Sequence, residues 1–147
     1  MIKNIILLIL SIIVAFIFFE VGLRIAGITY PSLYTVDDNL GMVLRPGAFG
    51  QWNLEGNAYI EINSDGLRDV EHKYKKSKGT YRIAVLGDSH TEALQVDLYD
   101  TYWKILEHNL NSKFNNKNIE VINFGIAGSG TVDALHILKQ KVWKYNP

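Results

Sequence analysis

Tyr81-Arg-Ile-Ala-Val-Leu-Gly-Asp-Ser-His-Thr-Glu-Ala93 is the stretch that decides how this chain folds. Residues 83–86 form a short run of apolar, mostly branched side chains, which is typical of a buried strand. The run ends abruptly in Gly87-Asp88-Ser89-His90, which a buried strand would not contain. Open α/β sheets place their chemistry at the carboxyl ends of parallel strands. The stretch therefore predicts a parallel strand with a functional site at its end.

The residues after this strand alternate between helical and strand patterns. The strand, over 82–86, is followed by a predicted loop through residue 99 and a helix over 101–111. A polar loop over 111–118, a strand over 119–124, a glycine-rich turn over 125–131 and a helix over 132–145 follow. The order strand–helix–strand–helix predicts parallel strands joined by a crossover. Helical spacing predicts two sets of core-facing residues: Tyr102, Ile105, Leu106 and Leu110 in the first helix, and Leu135, Leu138 and Val142 in the second.

Length and composition limit the classes of protein that this chain can be. Its 147 residues suffice for one small domain. Its 15 basic residues balance 15 acidic residues, which argues against a nucleic-acid binder, since such proteins carry a basic excess. Cysteine is absent, which excludes disulfides, thiol catalysis and cysteine-ligated zinc.

The first 29 residues are predicted to be a separate membrane segment. Residues 5–19 are uninterrupted aliphatic and aromatic side chains apart from Ser11, and Glu20 and Arg24 are spaced to pair on one helical face. Lys3 before the run favours a cytoplasmic N-terminus. We therefore expect a single-pass anchor in membrane lipid, with the α/β part on the extracytoplasmic side. A cleaved signal peptide and a buried core helix are the alternatives.

Residues 30–79 are predicted to be a β-rich lead-in to the α/β part, which occupies residues 80–147. Short strands are expected over 41–45 and 58–62, and Asn63-Ser-Asp-Gly66 has a turn composition. The basic run His72-Lys-Tyr-Lys-Lys-Ser-Lys78 has two interpretations. In the first, the run attracts an anionic lipid or a cell-wall polymer. In the second, it is a solvated linker.

Two blocks of this sequence resemble the SGNH hydrolases, also called GDSL-type esterases and lipases. The first is Gly87-Asp88-Ser89 at the end of a strand, where His90 replaces the usual leucine. The second is Val121-Ile-Asn-Phe-Gly-Ile-Ala-Gly-Ser-Gly-Thr131, a strand ending in asparagine before a glycine turn. Asn63-Ser-Asp-Gly-Leu-Arg68 and the N-terminal helix are similar to membrane-anchored bacterial members. The resemblance covers most of the chain, with 81–131 as its specific core.

The resemblance implies a fold and a role for each matched residue. The fold would be part of a three-layer, flavodoxin-like parallel-sheet domain. Ser89 would be the nucleophile, and Gly128, in preference to Gly125, would supply an oxyanion-hole N–H. Asp88 would order the serine loop by hydrogen bonds. The reaction would be hydrolysis or transfer of an acyl or acetyl ester of a lipid or cell-envelope carbohydrate, without metal or organic cofactors.

The family's remaining blocks, Gly-x-Asn-Asp and Asp-x-x-His, are missing after the second helix. They would supply the oxyanion-hole asparagine and the general base with its orienting acid. The sequence therefore predicts an N-terminal fragment of a longer protein, inactive alone, or a non-catalytic membrane-anchored remnant.

Two other interpretations use the same turns. Asp88 and His90 have the spacing with which metallophosphoesterases bind a catalytic metal pair. The loop from Gly125 to Gly130 between strand and helix suits a nucleotide phosphate, although its glycine order is not the dinucleotide fingerprint.

Overall fold

The computed structural model describes residues 2–26, 28, 30–114 and 117–147. The chain divides into two units, Met1–Tyr30 and Pro31–Pro147. Five residues of the predicted membrane segment and polar loop lie outside the described residues: Met1, Gly27, Thr29, Asn115 and Asn116.

The first unit is dominated by a long apolar helix. Helix α1 spans Ile2–Ile25, and its 24 residues extend about 36 Å, enough to cross the hydrocarbon core of a bilayer. Its side chains are exposed almost throughout. Arg24 Nε lies 2.8 Å from Glu20 Oε1, so the predicted pair forms. The same length and composition also fit a signal sequence.

The second unit begins with two small antiparallel hairpins. Strand β1, Tyr34–Asp37, pairs with β2, Gly41–Leu44, and β3, Phe49–Trp52, pairs with β4, Ala58–Glu61. Their apolar side chains meet in one cluster that includes Leu33, Ile60 and Leu94. The predicted strands at 41–45 and 58–62 are therefore present, each one residue shorter than expected.

The predicted α/β order is present in the rest of the unit. Strands β5, Thr80–Val85, and β6, Asn118–Asn123, pair in parallel with Ile83 opposite Val121. The helices are α2, Ser89–Glu92, α3, Tyr102–Lys113, and α4, Thr131–Gln140, with 3-10 turns at Leu98–Asp100 and Val142–Tyr145. The prediction of a loop through residue 99 was wrong where α2 forms, because the Asp88 side chain caps a short helix there.

Helices α3 and α4 cover opposite faces of the β5–β6 pair. Ile119 and Val121 pack with Trp103 of α3, whereas Ile122 and Phe124 pack with Ile137 of α4. Neighbouring residues of a strand point to opposite faces, so the two clusters lie on the two sides of the sheet. Both faces of β6 are covered, whereas Tyr81 and Ile83 of β5 remain 54% and 37% exposed on the α3 side.

The outer edge of β6 is closed by side chains. Asn111 Oδ1 accepts the Ile119 N–H at 2.9 Å, Glu107 Oε2 accepts the Val121 N–H at 2.6 Å, and Asp69 Oδ2 accepts the Asn123 N–H at 3.1 Å. An edge strand otherwise leaves such N–H groups unpaired. These bonds join α3 and the lead-in to the sheet.

The predicted core faces of both long helices need correction. Trp103 and Lys104 are the buried residues of α3, whereas Tyr102, Ile105 and Leu106 are 50%, 46% and 38% exposed; Leu110 is partly buried, as predicted. The buried lysine is the reason, because its Nζ meets Asp69 Oδ1 at 3.1 Å and Glu107 Oε1 at 3.0 Å. A charged side chain is buried readily only when paired.

The last helix ends earlier than predicted. Helix α4 stops at Gln140, and Val142–Tyr145 forms a 3-10 turn rather than a continuation. Ile137 and Val142 are buried and Leu138 is partly buried, but Leu135 is 47% exposed. Leu138 and Val142 therefore pack as predicted, whereas Leu135, which lies before the break, does not.

We expect Trp103→Ala to lower the free energy of unfolding by about 3–5 kcal/mol, because it empties a fully buried aromatic site. Ile105→Ala on the exposed face should change it by less than about 1 kcal/mol. Urea denaturation of the full chain in mild detergent measures both. Similar losses in the two variants would contradict the observed orientation of α3.

A turn in the lead-in is bound to the end of the chain. Asp65 Oδ1 accepts from the Tyr74 hydroxyl at 2.6 Å, and Asp65 Oδ2 accepts from the Tyr145 hydroxyl at 2.5 Å. Burial acts to raise the pKa of Asp65, but the two tyrosine bonds and Lys141 outweigh it and hold that pKa below its ordinary value. The folded state therefore favours the ionised carboxyl.

The lowered pKa of Asp65 predicts a pH-dependent contribution to stability. The contribution is present above the ordinary value of 3.8 and is lost as the pH falls through the lower folded pKa. Asp65→Asn should lose stability near neutral pH and lose progressively less in acid. Tyr74→Phe keeps the ring but removes one donor, so its loss of stability near neutral pH should be smaller than that of Asp65→Asn. Denaturation over a pH series tests this, and a pH-independent loss in Asp65→Asn would contradict it.

Candidate functional site

Ser89 lies where the opening stretch predicts, at the carboxyl end of β5. It is the first residue of α2 and is half-buried, while Asp88 and His90 on either side are exposed. Asp88 is the N-cap of this short helix, and its Oδ1 accepts from the His90 N–H at 3.0 Å. The carboxylate thus shapes the backbone that carries the hydroxyl.

The second glycine turn lies directly beside the first. The parallel ladder continues past both strands, because Phe124 N donates to Val85 O at 2.8 Å and Ile126 N donates to Gly87 O at 3.1 Å. Main-chain hydrogen bonds therefore hold the turn after β6 against the turn that precedes Ser89. The two motifs that the sequence singles out, about forty residues apart, form one local structure.

Two glycines allow this close approach. A Cβ on Gly87 would lie 2.8 Å from Thr91 Cβ, and a Cβ on Gly125 would lie 2.6 Å from Glu92 N and 2.7 Å from Thr91 Cβ. Real side chains do not approach so closely, so a larger residue at Gly125 would move α2 away from the second turn, and one at Gly87 would collide with the Thr91 side chain. Gly87 and Gly125 are thus packing requirements.

Gly128 needs glycine for a different reason. Its φ is +77°, in the left-handed region, and a Cβ there would meet nothing within 4 Å. The residue is exposed and lines a cavity of about 190 Å³ with residues of the β1–β2 hairpin and α4. The open space in front of this backbone is compatible with an incoming ligand.

A larger cavity adjoins both turns. It measures about 380 Å³ and is lined by Leu86, Gly87, Asp88, Ser129, Gly130, Thr131 and Ala134. Its walls are the immediate neighbours of Ser89 and Gly128 rather than those two residues themselves. The structure therefore places the two predicted residues at the margins of this cavity.

Asn123 fastens the second turn to the lead-in. Its Oδ1 accepts from Gly125 N at 2.8 Å, and its Nδ2 donates to Arg68 O at 3.2 Å. The side chain is 1% exposed, so both bonds are shielded from water. The asparagine that ends β6 therefore sets the direction in which the chain leaves the strand.

Arg68 supports the helix that begins with Ser89. Its guanidinium is buried and donates to the carbonyls of Glu92, Ala93 and Val96. Ala93 ends α2 in the left-handed region with φ 57°, which is uncommon for a residue with a side chain. Burial lowers the pKa of Arg68 to about 10, against the opposing charge of Glu92. The residue remains cationic at neutral pH.

Glu92 is a buried carboxyl behind the second turn. The Tyr34 hydroxyl donates to its Oε2 at 2.8 Å, and its side chain is shielded from solvent. Burial raises the pKa of Glu92, while Tyr34, the Ala127 N–H and Arg68 act against that rise. This carboxyl connects β1, α2 and the second turn. Sequence patterns did not single out Arg68 or Glu92 for these roles, because each depends on partners distant along the chain.

None of the four histidines is hydrogen-bonded to Ser89 in the described part of the chain. His90, His108 and His136 are exposed. The His72 ring is almost completely buried, and its Nε2 lies 3.2 Å from Asp69 Oδ2. Asp69 and His72 have the Asp-x-x-His spacing, but they precede Ser89 and lie at the outer edge of β6. The basic run is therefore not wholly a solvated linker.

The metallophosphoesterase interpretation has less geometric support. Within residues 2–26, 28, 30–114 and 117–147, no group of three or more His, Cys, Asp or Glu side chains is arranged to hold a metal ion. The Asp88 carboxylate binds the His90 main chain instead. No protein-family model matches the sequence. No curated protein matches it either.

The two kinds of glycine should respond differently to substitution. Gly125→Ala should lower the free energy of unfolding by about 2–3 kcal/mol, because its Cβ meets the backbone of α2. Gly128→Ala, which adds strain without a clash, should cost about 1 kcal/mol. Chemical denaturation compares them, and equal losses would show that the two turns are not packed as described.

Proposed function

We propose that this chain carries the nucleophile and part of the oxyanion hole of an SGNH-type serine ester hydrolase. The observation that supports the proposal best is the docking of the two glycine turns through the Ile126–Gly87 hydrogen bond and the Gly125–α2 contact. The β5–β6 pair with α3 and α4 on its two faces is compatible with part of a three-layer, flavodoxin-like sheet.

In the proposed reaction, Ser89 Oγ attacks the carbonyl carbon of an acyl or acetyl ester. The hydroxyl proton passes to a general base, and the carbonyl oxygen becomes an oxyanion that accepts from the Ser89 and Gly128 N–H groups. Collapse of the tetrahedral intermediate releases the alcohol and leaves an acyl-serine. Water then hydrolyses this ester, or a sugar hydroxyl accepts the acyl group. Asp88 orients the serine turn and does not act as the base.

The proposal requires a general base, and the described residues place none beside Ser89. A serine hydroxyl is a weak nucleophile without one. We therefore propose that the base and the oxyanion-hole asparagine are supplied from outside these residues, and that the chain alone turns over little substrate. Acylation of Ser89 is still expected to exceed that of other serines, since an oxyanion-hole donor contributes about 10²–10³ in rate.

We further propose that α1 anchors the protein in a membrane, with the α/β unit on the extracytoplasmic side. The apolar length of α1 and the positive charge of Lys3 before it support this orientation. The substrate would then be an ester of a lipid or a cell-envelope carbohydrate.

Acylation of the full chain by p-nitrophenyl acetate tests the chemistry, with the acetylated serine located by peptide mass spectrometry. Ser89 should acquire the acetyl group at least about tenfold faster than exposed Ser77 in the same molecule. Ser89→Ala should abolish this preferred site. The matched variant Ser129→Ala, in the neighbouring turn, should leave labelling of Ser89 in place. Equal labelling of Ser89 and Ser77 would refute the proposal.

A further inference from the structure

The charge of the folded unit is strongly segregated, although the net charge of the whole chain is zero. Three segments, 71–82, 113–120 and 139–147, contain ten of the 15 basic residues and two of the 15 acidic residues. The rest of the Pro31–Pro147 unit has three basic and twelve acidic residues. Two of those three, Arg68 and Lys104, are buried.

The fold brings the three basic segments to one end of the sheet. Thr80 pairs with Asn118, so the segments before β5 and β6 are neighbours. Arg82 Nη1 donates to Tyr145 O at 2.7 Å and to Tyr74 O at 2.9 Å, which joins the chain's last turn to the first segment. All three segments therefore lie at the amino end, opposite the candidate site.

We define the lysine face as a set of lysine side chains that these segments present at the amino end of the sheet. Its members are Lys73, Lys75, Lys76, Lys78, Lys113, Lys117 and Lys144; all are exposed except Lys76, which is partly exposed.

The acidic residues at this end are bound within the protein. Glu120 pairs with Arg82 at 2.6 Å, Glu71 binds the main chain and hydroxyl of Ser64, and Asp65 binds two tyrosines. Their charges still lower the local potential, but their oxygens are already engaged. The lysines consequently supply the cationic groups available for an anionic partner.

Aromatic rings are interleaved with these lysines. Lys117 Nζ lies 4.5 Å from the centre of the Tyr81 ring and 5.9 Å from that of Phe114, and Lys113 Nζ lies 5.7 Å from the Phe114 ring. Four rings of these segments are substantially exposed: Tyr74, Tyr81, Phe114 and Trp143 at 48%, 54%, 43% and 60%. Lysine stems and amphipathic rings together are typical of protein surfaces at the lipid headgroup level.

We propose that the lysine face docks on the headgroups of an anionic phospholipid bilayer. The partner is argued from charge complementarity and from the exposed rings. The proposal is independent of Ser89 chemistry.

The test uses the full chain reconstituted in vesicles. Because the sequence has no cysteine, Ser77→Cys supplies a single thiol at the lysine face for a polarity-sensitive dye. Tyr99→Cys, at the carboxyl end, supplies a matched control. Nitroxide-labelled lipid should quench the dye at residue 77 in vesicles containing roughly one-third phosphatidylglycerol, but not in phosphatidylcholine alone. The dye at residue 99 should not be quenched in either kind of vesicle. High salt, about 1 M, should abolish the quenching.

Charge variants separate electrostatic docking from a structural effect. K75E/K76E/K78E should weaken association of the face with anionic vesicles by at least about 100-fold, whereas K75R/K76R/K78R should retain it. K76E alone should give an intermediate loss, and unchanged circular dichroism should accompany each variant. Quenching that ignores lipid charge, or that survives K75E/K76E/K78E in a folded protein, would overturn the proposal. Binding of a single-stranded oligonucleotide without any response to phosphatidylglycerol would also overturn it.

Discussion

The second unit depends on the hydrogen bonds and the ion pair that the buried carboxylate of Asp69 makes. Its side chain has no solvent exposure, accepts from the main-chain N–H groups of Val70 and Asn123, and lies 3.1 Å from Lys104 Nζ. These three donors come from the lead-in, from β6 and from α3. Removal of one partner from a buried carboxylate leaves an uncompensated charge. Asp69 therefore couples the lead-in to the sheet and, through Asn123, to the turn beside Ser89.

The elements that carry their own local signal could be predicted from the sequence. The apolar runs at 83–86 and 119–124 predicted β5 and β6, and their abrupt polar ends predicted where the turns begin. The core face of α3 could not be predicted, because Lys104 is buried by a carboxylate 35 positions earlier in the chain. Periodicity assigns lysine to solvent unless its partner is known. The same holds for His72, whose basic neighbours suggested a linker.

The candidate site shows a similar division. Ser89 and the glycine turn could be located from the sequence, but the separate tasks of the glycines could not. Close packing requires Gly87 and Gly125, whereas backbone conformation requires Gly128. Composition does not distinguish these demands, because both simply exclude a side chain. Arg68 and Glu92 were missed since their partners belong to α2, β1 and the second turn.

The segregation of charge has a consequence for the proposed site. A body that is positive at one end and negative at the other has a permanent dipole moment, and an anionic surface exerts a torque on it before contact. Asp88, Asp97, Asp100 and Asp133 are exposed at the end that would turn outward. The six residues of β5 separate the two ends by about 20 Å. Held in this way, Ser89 would face away from the headgroups, which among the proposed substrates favours an ester of a cell-envelope carbohydrate over an ester of the underlying lipid.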